Sequence, residues 1–166
     1  MGYDVAVITK IKIPSKTGEV CDVHFIVGRG FCTMILEAKN HPNPVLKDLE
    51  KSLNMDLSFL ELIEFADQEE FDESELRELG FNEDYINEAK ISGPSGYLRI
   101  DEFLKKVNNI LEAIESDPNY ESRMNYDRKW WVSYFDKDFQ LDLKSLNEFL
   151  TKLLSLGESE FAFRLY

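Results

Sequence analysis

Soft metal ligands and thiols are scarce in this chain: two histidines and two cysteines stand among 166 residues. A disulfide-stapled secreted scaffold would carry more cysteines than Cys21 and Cys32. Basic charge is short as well, with 19 Lys and Arg against 32 Asp and Glu. No apolar run approaches the roughly 20 residues that cross a bilayer. Asp4 and Lys10 interrupt the early apolar stretch that a signal peptide needs. The opening Met1-Gly2-Tyr3-Asp4-Val5-Ala6 lacks the Ser or Thr that a myristoylation signal places at position six. No Asn-x-Ser/Thr acceptor, internal repeat or low-complexity tract is present. These absences predict a cytoplasmic chain with reduced thiols and no membrane partner.

What is there suffices for a core. Apolar residues make up 43% and aromatics 13%, and a chain of this size buries roughly two-thirds of its unfolded surface. Tyr3, Val5, Val7, Thr9, Ile11 and Ile13 alternate with Asp4, Lys10 and Lys12, which predicts a half-buried strand. Turn residues 14–18 lead to a second strand, with Cys21, Val23, Phe25 and Val27 alternating against Asp22, His24 and Ile26. Residues 31–38 fit a strand or a short helix. Val45, Leu46, Leu49 and Leu53 recur at helical spacing, and Asp56 is placed to cap a helix from Leu57 to about Phe65. Asp101 heads the clearest helix, striped by Phe103, Leu104, Val107, Ile110, Leu111 and Ile114. A helix at about 143–156, closed by Gly157, and a strand through Phe161, Phe163 and Leu165 complete the chain. The expected architecture is a single α+β domain over 1–166. Its N-terminal hairpin and C-terminal strand share a small antiparallel sheet covered by helices.

The charge is not spread evenly. Residues 61–90 hold twelve acidic residues against Arg77 and Lys90, a local net of −10 that leaves about −3 for the rest. Leu62, Ile63, Phe65, Phe71, Leu76, Leu79, Phe81, Tyr85 and Ile86 thread this stretch. The pattern predicts a folded acidic helical lobe at about 57–91, apolar side chains in and carboxylates out, with a hinge at about 92–96. Ser74 opens a short helix closed by Gly80, and Asn82 caps the next. Glu78-Leu79-Gly80-Phe81, between two short helices, resembles the loop of ubiquitin-binding UBA domains over about twenty residues. The same segment is similar to a helix-turn-helix with Gly80 at the turn, but a DNA reader there would set a strongly negative lobe against phosphates.

Several residue sets bear on chemistry. Cys21, His24, Cys32 and His41 have the spacing Cys-x2-His-x7-Cys-x8-His, which lacks the paired tight turns of structural zinc sites. No metal is expected. Cys32 follows Gly28-Arg29-Gly30. A helix starting there, with Arg29, would lower the thiol pKa and favour the thiolate, with His24 as the base that takes the thiol proton and Asp22 orienting the imidazole. The alternative is a small buried apolar residue behind a glycine turn. Gly28-x-Gly30 lacks the third glycine of a dinucleotide fingerprint and the Gly-Lys-Ser/Thr of a P-loop, so no cofactor is expected. Acidic residues at 67–75 do not form a calcium loop.

Charge then selects among functions. A concentrated negative field favours a basic protein partner and disfavours nucleic acid. The best fit is an immunity- or inhibitor-type antagonist of a basic, nuclease-like or defence partner, gripped by Glu69, Glu70, Asp72, Glu73 and Glu75 around apolar anchors such as Phe65, Phe71 and Phe81. A cluster of aromatic and basic residues that includes Arg128, Trp130 and Trp131 has the composition of a protein-binding surface. Two alternatives remain: a small enzyme built on Cys32, His24 and Asp22, and an accessory scaffold subunit that docks through Trp130 and Trp131.

Overall fold

The computed structural model describes residues 5–14, 20–66, 73–92, 96–126 and 129–165, with side chains at all of these except 10–14, 20–26, 66, 75–76 and 88–92. The fold is α+β. Strands β1 (Val5–Pro14) and β2 (Val20–Val27) form the expected antiparallel hairpin, and the register between them shifts near Ile8. Helices α1 (Arg29–Asn40), α2 (Val45–Leu53) and the single turn α3 (Ser58–Glu61) follow, then the two-residue strand β3 (Phe65–Ala66). Helices α4 (Glu73–Glu78) and α5 (Glu83–Ser92) come next, then β4 (Leu98–Arg99) and α6 (Ile100–Ser116). A 3-10 turn at Tyr120–Arg123 precedes α7 (Trp130–Ser133), a π turn (Tyr134–Asp138) and α8 (Phe139–Ser155). Strand β5 (Glu160–Leu165) closes the chain.

Strand order is β2-β1-β5-β3. β1 runs antiparallel to both β2 and β5, β3 runs parallel to β5, and β4 pairs with the start of β5. β5 is therefore interior, and Phe161, Ala162, Phe163 and Arg164 are all buried. The same holds for Val5 to Thr9 in β1. Alternation at the two chain ends thus reads as half-buried, whereas both faces of these strands are covered. Phe161 and Phe163 face the helices, where Phe103 lies 5.2 Å and 5.8 Å from their ring centres and Phe31 lies 5.9 Å from Phe163. Ile8 and Ala162 form a smaller cluster with Tyr97 on the other face. Such edge-to-face ring pairs add about 0.5–1.5 kcal/mol beyond the area they bury.

Boundaries moved where local chemistry competed with periodicity. Residues 31–38 are helix, with Phe31, Cys32, Met34 and Ile35 facing the core. Asp56 does accept from Ser58 N at 2.9 Å, but the helix it starts spans only Ser58–Glu61. α6 begins at Ile100. Asp101 is one residue inside it, accepting from Glu102 N at 2.9 Å and holding the Arg99 guanidinium.

The rod from Trp130 to Ser155 has a physical cause for its π turn. Trp131, Phe135, Phe139 and Leu143 are buried at four-residue intervals. An α-helix turns about 100° per residue, so such a series would drift about 120° over twelve residues. One π turn takes back about 100°. It keeps these side chains on the core face with the α8 stripe of Leu146, Leu150 and Leu153. No helix of the described residues is long and apolar enough to cross a membrane.

Candidate functional site

The acidic lobe divides between described and undescribed residues. Glu69, Glu70, Phe71 and Asp72 lie outside the described residues, as do Arg128 and the side chain of Glu75. The hinge lies mostly outside them too, since 93–95 are not described. The lobe's helix pair is described. α4 ends at Glu78, Gly80 takes φ +85, and Asn82 caps α5, with its Oδ1 accepting from Tyr85 N at 2.8 Å. The left-handed φ lets the chain reverse within four residues, and L side chains adopt it rarely.

This turn presents apolar side chains outward, which corrects the expectation that the lobe buries them. Leu79 is 68% exposed, Phe81 43% and Tyr85 49%, while Ile86, one residue on, is fully buried. Neighbouring helix positions point about 100° apart, so Ile86 facing inward turns Tyr85 outward. Phe81 and Tyr85 stack at 4.9 Å with an interplanar angle of 24°. Phe65, also expected as an anchor, is half-buried in β3 beneath Lys39 Nζ, 5.8 Å above its ring.

Charge around the turn is partly internal. Arg77 Nε bonds Glu83 at 2.7 Å, and its terminal nitrogen reaches Glu73 at 3.2 Å. Glu73, a residue expected to meet a partner, is therefore engaged within the lobe. These bonds hold the already basic guanidinium charged more firmly. Glu61 pairs with Lys47 at 3.3 Å. Glu78 and Asp84 are exposed, flank the apolar turn in sequence, and have no cationic partner among the described residues. The sequence reading missed this pair, because within a dense acidic run only the ion-pair geometry tells engaged carboxylates from open ones.

The tryptophan pair splits. Trp130 is 42% exposed and stacks on Trp131 at 3.7 Å. Trp131 is 0% exposed, packed against Tyr134 and Phe135. A role for Trp131 in touching a partner is thus corrected: it is core, and only Trp130 of the two offers surface. Adjacent helical residues again explain the split.

The glycine turn also resolves. A Cβ on Gly28 would lie 2.6 Å from the Asp142 carboxylate oxygens, and one on Gly30 would lie 2.3 Å from the Tyr134 ring. These glycines allow α8 and the π turn to dock on the start of α1. Asp142 accepts from Tyr134 Oη at 3.0 Å and from the Gly28 backbone. Burial pushes its carboxyl above the usual carboxylate range, and the Tyr134 hydroxyl pulls it part of the way back. Burial, then the Asp142 charge, holds the Tyr134 phenol well above its ordinary value. The protein's own carboxylate therefore stands where a bound anion would have to approach.

Cys32 does sit in the first turn of a helix headed by Arg29, as the thiolate reading required. Its side chain, however, points into the core beside Phe31 and Ile35. Catalysis by Cys32 is corrected on that ground, since a substrate would have to open the core to reach it. Asp22 and His24 lie on β2, and their side chains are outside those described. His41 follows the last residue of α1, nine positions from Cys32 and about 14 Å along the axis. That separation does not suit a shared metal. No protein-family model, curated protein or solved structure matches the chain.

Proposed function

We propose that this chain is an acidic protein-binding protein, an antagonist of the immunity or inhibitor type that occupies a basic surface of its partner in a reducing cytoplasm. One observation carries the reading. Glu78 and Asp84, exposed carboxylates with no cation bound among the described residues, flank an exposed aromatic stack. Carboxylates already engaged by Arg77 have little left to offer a partner, whereas these two keep their full field. The −10 local charge adds long-range steering, which raises association rates and falls away with salt. The burial of Cys32 and the occupation of the glycine turn by Asp142 favour binding over catalysis.

The test is affinity capture from native lysate by the wild-type chain and by Glu78→Lys/Asp84→Lys, each eluted with a salt gradient. A basic protein retained by the wild type, released at moderate salt and lost from the variant is the expected result. The same proteins on both columns, or none on either, would overturn the proposal.

A further inference from the structure

We infer that the Leu79–Phe81–Tyr85 surface is the anchor of this interface. Its occupant would be an amphipathic basic segment of another protein, one that sets apolar side chains on the aromatic stack and lysines or arginines on Glu78 and Asp84. The inference rests on the acidic-lobe reading above and adds which residues form its desolvated centre and the chemistry of the segment that covers them. Ion pairs exposed to solvent contribute little affinity on their own. Interfaces gain most of theirs from a few apolar and aromatic anchors that exclude water, with charges at the rim.

The geometry supplies both parts within one short stretch. Leu79, Phe81 and Tyr85 are exposed over seven residues, and the two rings form one stacked unit. Its place is fixed by Gly80, the Asn82 cap, the Arg77 bridge across α4 and α5, and the buried Ile86. The surface is thus held before a partner arrives, which lowers the ordering cost of binding.

Charge decides the occupant. A second copy of this chain meeting the same patch in a two-fold contact would set Glu78 and Asp84 against their own duplicates. Like charges brought together at an interface oppose association. A neutral apolar segment would leave both carboxylates dehydrated without partners. A segment with apolar residues on one side and cations on the other satisfies rings and carboxylates together, in the manner of a helix laid on an apolar surface.

The test uses the full chain and two synthetic peptides of about 18 residues. One is amphipathic, with leucine on one face and lysine on the other; the second carries equal charge and no apolar residue. Titration followed by backbone amide NMR should move Leu79, Phe81, Asp84 and Tyr85 first with the amphipathic peptide. Phe81→Ala/Tyr85→Ala should weaken that binding about tenfold or more, and the charge-only peptide should bind at least about tenfold more weakly. Equal binding of the two peptides at the lobe, or no loss in the double variant, would overturn the anchor and leave the acidic-lobe reading standing. No shift within 73–86 with either peptide would sink both. A free chain that sediments as a dimer, and as a monomer once Phe81 and Tyr85 are replaced, would assign the patch to a second copy and overturn the inference. If the double variant loses helical signal, Leu79→Ser repeats the test at a side chain that is mostly in solvent.

Discussion

A methyl group added at position 30 tests how the core is assembled. The Cβ of Gly30→Ala would fall 2.3 Å and 2.4 Å from two carbons of the Tyr134 ring. That ring has little room to retreat. It is buried, packs 5.6 Å from Trp131 and 5.2 Å from Phe135, and its hydroxyl is bound to Asp142. Overpacking of this kind costs about 1–3 kcal/mol, and moving the hydroxyl off a carboxylate adds about 1.5–3 kcal/mol. Alanine's helical preference over glycine returns about 1 kcal/mol. The expected net loss is about 1.5–5 kcal/mol, which for a chain of this size lowers the melting temperature by about 3–20 °C. Urea unfolding followed by tryptophan fluorescence reads it directly. Gly80→Ala is the control, because its Cβ meets nothing and only the left-handed backbone, about 1–2 kcal/mol, is at stake. Tyr134→Leu shrinks the obstructing side chain, so the Gly30→Ala/Tyr134→Leu pair should fall short of additivity by at least about 1 kcal/mol. A Gly30→Ala chain as stable as wild type, or a strictly additive pair, would refute the docking of the π turn on α1.

Other expectations separate core from surface. Trp131→Ala should cost about 3–5 kcal/mol in urea unfolding, and Trp130→Ala less than about 1 kcal/mol. A small effect at Trp131 would contradict its placement. Cys32 should react with iodoacetamide only after denaturation; rapid labelling of the native chain near neutral pH would restore the enzyme reading. Burial raises the Tyr126 phenol to about 12 and shifts Tyr120 and Tyr134 upward as well. A phenol whose folded value exceeds its unfolded value of about 10 contributes stability that is complete below pH 10 and is lost as pH climbs toward the folded value. Stability should therefore decline above about pH 10, and phenolate absorbance of Tyr120, Tyr126 and Tyr134 should appear at higher pH in the folded chain than in the urea-unfolded chain. Titration of these three phenols near pH 10 in the folded chain would contradict the burial.

Much of the fold was legible because single principles dominate at single places. The stripe from Phe103 to Ile114 is one uninterrupted helical face, and α6 follows it within a residue of Asp101. Gly80 and Asn82 mark the α4–α5 turn correctly because each acts through its own backbone or side chain. Three features needed coordinates. The short β3 and β4 are defined by pairing with β5, a partner distant in sequence. The π turn follows from keeping Trp131, Phe135, Phe139 and Leu143 on one face, a requirement that no local residue pattern signals. In the acidic run, Leu79 and Tyr85 read as core because an apolar residue amid charges usually folds inward, while Phe81 also reads as a partner anchor. Helices of six and ten residues joined by a tight turn, however, leave the turn's own side chains outside. The divided fates of Trp130 and Trp131, and of Tyr85 and Ile86, follow from helical phase, which composition does not carry.

The most direct measurement of the central claim is the association rate of this chain with its captured basic partner, taken by stopped flow over a range of ionic strength. An acidic lobe that steers and then anchors its partner predicts a rate that falls steeply with salt for the wild type and only shallowly for Glu78→Lys/Asp84→Lys. Phe81→Ala/Tyr85→Ala should keep the wild-type rate and dissociate faster. A rate indifferent to salt and to reversal of those two carboxylates would contradict it.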